Sequence, residues 1–523
     1  MSDLLRQRSA TLKDFSGGLN NYWDPSSIAE NEVSYLINME FSPNGALVSR
    51  PAISETTLPQ IPASGTPLYI DILGYFTPSG GDRYIIATAG TKTYRLNLDA
   101  VTPAWTELWA SKATGYVQYD NKVILCKATT GGARWAVGDA SVTAITTMPA
   151  LAGLVVYQSR FFGWGVRGTA TDTKVYYSDL TTITTPLGVY DWNVDSVINV
   201  GLGDGQSISG ILIDYSKIFI FKSASTYAFS FSELPEEGTL SLIQQGIGAE
   251  NKNCIANYQN GYVVLHDQIV YRFQNGQFSP LNAQRVNFKP FNSAYQKDFT
   301  VSVFGDRAII WFSGSIYALN LLTGTWAQWE STTEIAHIFQ TPQKSSTIKQ
   351  HETAYAITGS NTTSKWKLYQ MDNSPVTTNA AEVFTCKLRT RIYDFDTPAE
   401  WKRLYWWAAD VAADGVITAT VTAIAASSNV RSWDQISTST WDVLSTLTWD
   451  KLLSEDPYVT TERTIDEGAP QRALLKLEHS IRFRRAYFEV YFSCDGTAET
   501  SPAQIFSITP MIGVKAKLTK GVA

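Results

Sequence analysis

One local pattern recurs through the middle of the chain and limits what it can fold into. A polar turn, usually opened by an aromatic residue and closed by Arg, Lys or Gly, precedes a run of four or more mostly apolar residues. It occurs as Gly81-Asp82-Arg83 before Tyr84-Ile85-Ile86-Ala87, as Tyr119-Asp120-Asn121-Lys122 before Val123-Ile124-Leu125-Cys126, and as Tyr157-Gln158-Ser159-Arg160 before Phe161-Phe162-Gly163-Trp164. It returns as Tyr215-Ser216-Lys217 before Ile218-Phe219-Ile220-Phe221, as Tyr258-Gln259-Asn260-Gly261 before Tyr262-Val263-Val264-Leu265, and as Phe304-Gly305-Asp306-Arg307 before Ala308-Ile309-Ile310-Trp311. The closing residues Arg83, Lys122, Arg160, Lys217, Gly261 and Arg307 are separated by 39, 38, 57, 44 and 46 residues, the long step holding an insertion. A weaker seventh unit begins near Tyr355-Ala356-Ile357.

Each unit carries a second aromatic strand a short distance on, such as Tyr94-Arg95-Leu96, Val175-Tyr176-Tyr177, Tyr227-Ala228-Phe229 or Ile316-Tyr317-Ala318-Leu319. Several close on tryptophan, as in Trp105 to Trp109 and Trp326 to Trp329. Small antiparallel sheets repeating about every 40 residues cannot bury their faces alone and must stack against their neighbours. The expected fold is therefore all-β: a β-propeller of six to seven blades over residues 67–380, with the apolar runs as its inner strands. No unit has the Gly-His and Trp-Asp pair of the WD-repeat class at blade spacing.

The flanks differ in texture. Residues 1–66 read as a segment docked on the ring. Within it Ser27-Ile28-Ala29-Glu30 fits a capping box, Ile28, Val33, Leu36 and Ile37 suggest a short helix, and Pro43-Asn44-Gly45 closes a hairpin. Residues 381–523 carry long alternating runs at 383–395, 401–409, 416–425, 473–478, 483–492 and 505–514, which suits a C-terminal β-sandwich. A Trp-rich polar insertion, 427–468, interrupts it, with Trp433-Asp434, Trp441-Asp442 and Trp449-Asp450 at intervals of eight.

Composition narrows the function classes. Charged residues are 17% and aromatic residues 12% of the 523, which excludes a disordered chain. A net charge of -6 excludes a general nucleic-acid coat, which needs a dense basic surface. No apolar stretch approaches 18 residues and the first residues lack the apolar core of a secretory signal, so no membrane segment and synthesis in a cytoplasm are expected. The cysteines, Cys126, Cys254, Cys386 and Cys494, are far apart, without a C-x-x-C pair or histidines at ligand spacing, and read as buried thiols.

Nucleophile, metal and phosphate motifs are absent, so no catalytic residue, cofactor or metal is expected. Gly201-Leu202-Gly203-Asp204-Gly205 has no following helix or Lys-Ser pair and reads as a blade-to-blade turn. Asp82, Asp120, Asp214, Asp267 and Asp306 invite comparison with a propeller glycosidase, but they fall in turns, where Asp serves local hydrogen bonds. Two features suggest contact surfaces. The tryptophans Trp433, Trp441 and Trp449 either tack down a long loop or present an aromatic surface to a protein or sugar. The basic set Lys387, Arg389, Arg391, Lys402 and Arg403 with Arg482, Arg484 and Arg485 is either a solvated strand face or a positive patch for an acidic neighbour or passing DNA.

Several short stretches carry a likeness to a known family. They are Phe15-Ser16-Gly17-Gly18-Leu19-Asn20, Asp24-Pro25, Ile28-Ala29-Glu30-Asn31-Glu32, Leu36-Ile37-Asn38, Gly45-Ala46-Leu47 and Arg50-Pro51. Tyr157 to Phe162 leading into Val175 to Asp179, Ile247-Gly248-Ala249 through Phe273, and Tyr393-Asp394-Phe395 with Trp401-Lys402-Arg403 extend it. In these the chain resembles tailed-bacteriophage virion proteins of the tail nozzle or hub family. The resemblance implies a homo-oligomeric ring, a hexamer, in the virion tail, extending the DNA exit channel below portal and adaptor and anchoring other tail or fibre proteins. It also implies passage of genomic DNA without sequence-specific binding, and no catalytic residues. A receptor- or carbohydrate-binding virion module is the alternative.

Overall fold

In a computed structural model the structure describes residues 6–9, 12–42, 46–51, 53–56, 58–59, 70–79, 81–180, 188–214, 216–258, 261–267, 269–281, 285–286, 300–312, 315–330, 335–341, 353–360, 363–371, 384–395, 402–413, 415–424, 458–465, 471–483, 485–494 and 504–514. Six four-stranded antiparallel units follow one another in sequence, each with its strands in the order 1-2-3-4. Blade 1 is Ile70–Phe76, Tyr84–Ala89, Lys92–Asn97 and Trp105–Trp109; blade 2 is Gly115–Tyr119, Lys122–Cys126, Gly132–Ala136 and Thr143–Ile145. Blade 3 is Gly153–Tyr157, Arg160–Trp164, Lys174–Ser178 and Trp192–Asn199; blade 4 is Ile208–Asp214, Lys217–Lys222, Ser225–Ser230 and Thr239–Gln245. Blade 5 is Ile255–Tyr258, Gly261–His266, Ile269–Gln274 and Gln277–Pro280; blade 6 is Thr300–Phe304, Arg307–Phe312, Ser315–Asn320 and Trp326–Trp329.

The seventh blade takes Ile335–Thr341, Thr353–Ser360 and Thr363–Met371 from late in the ring and its fourth strand, Ile53–Glu55, from the N-terminal segment. First strands of neighbouring blades lie side by side around the ring, and Ile335–Thr341 of blade 7 returns to Ile70–Phe76 of blade 1. This closed circle of four-stranded sheets is a seven-bladed β-propeller.

The strand that lies innermost differs from the sequence expectation. The apolar runs are the second strands; the first strands, nearer the axis, are the ones before the polar turn. Tyr84–Ala89 and Arg160–Trp164 are buried along their whole length, whereas Gly115–Tyr119 is half exposed. A second strand has a sheet neighbour on each side and another blade against each face, so both faces must be apolar. Its alternate residues enter separate cores: Val123 and Leu125 pack toward blade 1, Ile124 and Cys126 toward blade 3. Ile218 and Ile220 likewise pack toward blade 3, while Phe219 and Phe221 turn to blade 5. The period-2 signal of a strand is present but hidden, because both halves of the alternation are apolar.

The short helix expected near residues 27–37 is replaced by a turn and the strand Glu32–Ile37. Its composition, Val-Ser-Tyr-Leu-Ile after Glu32, favours a strand, and backbone partners stand on both sides. It pairs antiparallel with Phe384–Thr390 and meets Trp326–Trp329, the outer strand of blade 6, through Ile37 and Gln328. The expected hairpin forms between Met39–Phe41 and Leu47–Ser49; its turn at 43–45 lies outside the described residues. The described strands of residues 1–66 are shared among blade 6, blade 7 and the C-terminal sheets.

After the ring, two sheets form. Phe384–Thr390, Arg485–Cys494, Gly415–Ile424 and Tyr458–Ile465 continue the sheet of blade 6 through Glu32–Ile37. Gln471–Phe483, Lys402–Ala413 and Gln504–Val514 make the second, joined by Arg6–Ser9 and the Met39–Ser49 hairpin. Trp407 of the second sheet packs on Phe488 of the first, ring centroids 5.3 Å apart. The insertion expected over 427–468 is shorter than read, because Tyr458–Ile465 is a strand paired with Gly415–Ile424.

Candidate functional site

Antiparallel order puts the turns between strands 1 and 2, and those between strands 3 and 4, on the same face of the ring. Contacts between blades confirm that successive blades share this orientation. Ser79 N–H of blade 1 donates to Asn121 Oδ1 of blade 2 at 2.9 Å. Tyr157 OH of blade 3 donates to the Ser216 carbonyl of blade 4 at 2.7 Å, and Tyr258 OH of blade 5 to Asp306 of blade 6 at 3.3 Å. Tyr119 instead sets its ring edge-on to Phe161, 5.3 Å away. The aromatic residue that opens the repeated turn is therefore a clasp onto the next blade. Its ring adds apolar burial, and its hydroxyl satisfies a turn group that would otherwise face another blade unpaired.

This turn face is acidic. Asp82 and Asp99 stand in the turns of blade 1, Asp120 and Asp139 in those of blade 2, and Asp179 and Asp191 in blade 3. Glu233, Glu236 and Glu237 follow in blade 4, and Asp306 in blade 6. Among the described residues of these turns only Arg83 is basic, and it pairs with Asp99 at 2.9 Å. Lys122, Arg160, Lys217 and Arg307 stand at adjoining strand ends, Lys122 bound to Asp120 at 2.9 Å and Arg307 to Glu40. Tyr177 of blade 3 donates to Glu236 of blade 4 at 2.6 Å. Burial, then this carboxylate, pushes the Tyr177 phenol up to about 12, and the same hydrogen bond draws Glu236 below its ordinary value.

The acids that invite comparison with a glycosidase are engaged in turn and blade contacts. Asp82 accepts from Asn97 Nδ2 at 2.9 Å, Asp214 accepts the Asn275 backbone N–H at 2.9 Å, and Asp306 accepts from Tyr258. Asp267 occupies a hairpin at φ 42°. No group of three metal-ligating side chains occurs among the described residues. Burial raises the thiols of Cys126 and Cys254 to about 11 and about 12, which keeps them protonated and unreactive at neutral pH. The glycine-rich stretch 201–205 is a blade-to-blade turn, held by the fully buried Lys222. Its ammonium donates to the Gly201 carbonyl at 3.0 Å and to both Asp204 oxygens at 2.9 and 2.8 Å.

The N-terminal motif residues gather at one seam between blade 6 and the C-terminal sheets. Asn38 takes the left-handed conformation, φ 57°, and reverses the chain there. Its Oδ1 accepts from Arg50 Nε and from the Glu330 backbone N–H, both at 2.8 Å, while its Nδ2 donates to the Thr385 carbonyl at 2.9 Å. Arg50, 2% exposed, also donates to the carbonyls of Pro51 and Glu330 at 2.9 Å and lies 4.0 Å over the Phe384 ring. Buried Glu32 accepts from Asn20 Nδ2 at 2.8 Å and the Ala29 N–H at 2.9 Å and pairs with Arg285. Gly18 sits at φ 63°, where a Cβ would come within 3.0 Å of the Trp326 backbone, so glycine is required. Pro25 offers its carbonyl to Ile392 N–H at 2.9 Å, and Asp24, drawn down by its hydrogen bonds from Ser26, braces the same turn.

The structure gives the expected contact residues different settings. Arg389 is ion-paired with Glu489 at 2.6 Å, with its guanidinium over the rings of Tyr487 and Tyr35 at 4.8 and 5.5 Å. Arg391 lies over Tyr393 and donates to the Ser26 carbonyl at 3.3 Å. Lys402, 1% exposed, is inside the molecule. Lys387 and Arg389 do share a strand face, but Arg389 is spent on the seam. Trp433, Trp441, Trp449 and Arg484 lie outside the described residues. The seam itself has a sequence signal, the short motifs near the N-terminus, but nothing in one sequence pairs residues some 300 positions apart.

No family model and no curated protein matches the chain. Among solved structures it is similar to BamB from Moraxella catarrhalis at 12% identity and TM-score 0.38, over 62% of this chain and 98% of that one. It is likewise similar to BBS1N in complex with ARL6DN at 12% and 0.40, over 62% and 98%. The Neurospora crassa Pan2 WD40 domain matches at 12% and 0.36, over 60% and 98%. The protein is a β-propeller by its own strand order and ring closure.

Proposed function

We propose that the chain is a structural component of a phage tail: the nozzle or hub ring that extends the DNA exit channel and anchors other tail proteins. The observation that carries this reading is the fate of the motif residues. Gly18, Glu32, Asn38 and Arg50, which stand in the stretches that carry the family resemblance, build a hydrogen-bonded joint between propeller and C-terminal sheets. A part that withstands the pressure of packaged DNA needs such joints, and rings of identical copies need stiff, defined edges. The reading is of a non-enzymatic scaffold, a homo-oligomer of six copies, whose acidic balance lets genomic DNA slide past without gripping it. Negative-stain imaging of the purified full-length chain tests it. Six-fold rings with an open centre are expected; a dispersed monomer that binds glycans on an array would replace it with the receptor-binding alternative.

A further inference from the structure

The outer strands of the blades differ in how their edges are protected. An open strand edge presents unpaired N–H and C=O groups to any passing chain, and proteins blunt such edges with short strands, charges, proline, bulges or cover. Blade 1 ends on Trp105–Trp109, which carries Glu107, ion-paired to Lys92, and a register shift. The outer strand of blade 2, Thr143–Ile145, has three residues, and that of blade 3, Trp192–Asn199, carries Asp195 and a register shift. Blade 5 ends on the four residues Gln277–Pro280, closed by proline. Glu32–Ile37 covers Trp326–Trp329 of blade 6 as a fifth strand, and blade 7 ends on the three residues Ile53–Glu55.

Blade 4 is the least protected. Its outer strand, Thr239–Gln245, has seven residues, Thr-Leu-Ser-Leu-Ile-Gln-Gln, with no charge and no proline. Its one register shift falls between Leu242 and Gln244, so Thr239 to Leu242 is regular. No strand among the described residues pairs with its outer edge, and Leu242 on it is 50% exposed. At one end of this strand, Glu233, Glu236 and Glu237 stand exposed in the turn that leads into Thr239. Toward the other end, beside Ile243, a cleft of about 700 Å³ opens between blades 4 and 5. Phe219, Ala228 and Phe278 line it, and its two charged residues, Asp214 and Lys217, balance.

We propose that Thr239–Gln245 is a docking edge for an extended segment of another protein, which adds to blade 4 as a fifth strand. Main-chain hydrogen bonds along an edge select an extended backbone, and pockets beside it select side chains. Two other blades already take strands from elsewhere in the chain in this way, Ile53–Glu55 on blade 7 and Glu32–Ile37 on blade 6. The surroundings set the partner's chemistry: uncharged residues where it pairs, one apolar side chain for the cleft, and Lys or Arg where it passes Glu233, Glu236 and Glu237. This inference rests on the reading of the chain as an anchor for other tail proteins, and names the edge that does the anchoring; it does not depend on how many copies form the ring.

Fluorescence anisotropy and hydrogen exchange on the full-length chain test it. The probe is a labelled peptide of alternating threonine and valine, as long as the edge and ended by two lysines; its partners are the same peptide ended by two glutamates and a backbone N-methylated form. The lysine-ended probe is expected to bind and to slow exchange of the amides of residues 239–245, with the N-methylated form about tenfold weaker because its donors are gone. Glu233→Lys with Glu237→Lys should reverse the preference between the two charged probes. Leu242→Asp, which places a charge on the edge without repelling lysine, should weaken binding, and circular dichroism melts check that each variant folds. No binding, equal binding of the N-methylated form, or protection elsewhere removes the edge as the site. Equal affinity for both charged probes overturns the basic partner. Protection of 239–245 without peptide, rising with protein concentration alongside a dimer in sedimentation, replaces the foreign strand with a second copy. None of these results alters the six-fold rings expected in images, and absence of rings leaves the edge result as it is measured.

Discussion

The joints between blades and the seam between propeller and C-terminal sheets solve the same problem in opposite ways. A blade joint is repeated, joins segments 42 to 59 residues apart in the chain, and is apolar with a polar clasp such as Tyr157 to Ser216. The seam occurs once, joins residues 38, 50, 330 and 385, and is built from buried polar groups around Asn38 and Arg50. Repetition spreads the load, because each blade joint is one of seven. A single polar joint concentrates it, since every member depends on the others to remain satisfied.

That contrast sets the sizes of the expected effects. Trp407→Ala empties the space against Phe488 between the two C-terminal sheets and should cost about 3–5 kcal/mol. Calorimetry is then expected to show the C-terminal sheets melting ahead of the ring; one unbroken transition would mean the two regions unfold as one. Arg50→Met removes the cation shared by Asn38 and two carbonyls and should cost about 3 kcal/mol, measured by urea unfolding. Tyr157→Phe deletes one clasp of the ring and should cost only about 1 kcal/mol in the same assay. A loss as large as that of Arg50→Met would show that blade joints are no less concentrated than the seam.

A further effect is one of pH. The thiol of Cys126, between blades 2 and 3, titrates at about 11 when folded against 9.0 ordinarily, chiefly because it is buried. A folded value above the unfolded one means this contribution is complete below pH 9 and is lost as pH climbs toward 11. Thermal midpoints should fall over that window, and Cys126→Ala should flatten part of the fall.

How much of the molecule is legible in its sequence follows the same division. The blades can be read because each repeats its own turn chemistry and strand pattern, and the six strong units are blades 1 to 6. The inner strand is harder to read: strands such as Tyr116-Val117-Gln118 are half polar, Tyr116 and Gln118 donating to the Tyr75 and Thr77 carbonyls of blade 1, while the long apolar runs belong to the second strand. Glu32–Ile37 mimics a helix in sequence because its apolar residues answer to two neighbours, blade 6 and Phe384–Thr390, and not to one face. The seam's bonds cannot be read at all: its motifs announce that something is held there without saying to what.

The strand Ile53–Glu55, which completes blade 7, has a consequence for how the molecule is made. It leaves the ribosome 314 residues before its partner Tyr369, so the circle stays open through most of synthesis. Until then the early strand lacks a partner, and once Thr363–Met371 has emerged it presents an edge of matching shape that stays unpaired until the two meet. In a crowded population the same edges on two chains can close each other, exchanging Ile53–Glu55 and yielding intertwined pairs in place of separate rings. Fast emergence of the late blades relative to chain encounter is therefore a condition of correct assembly, set by one three-residue strand.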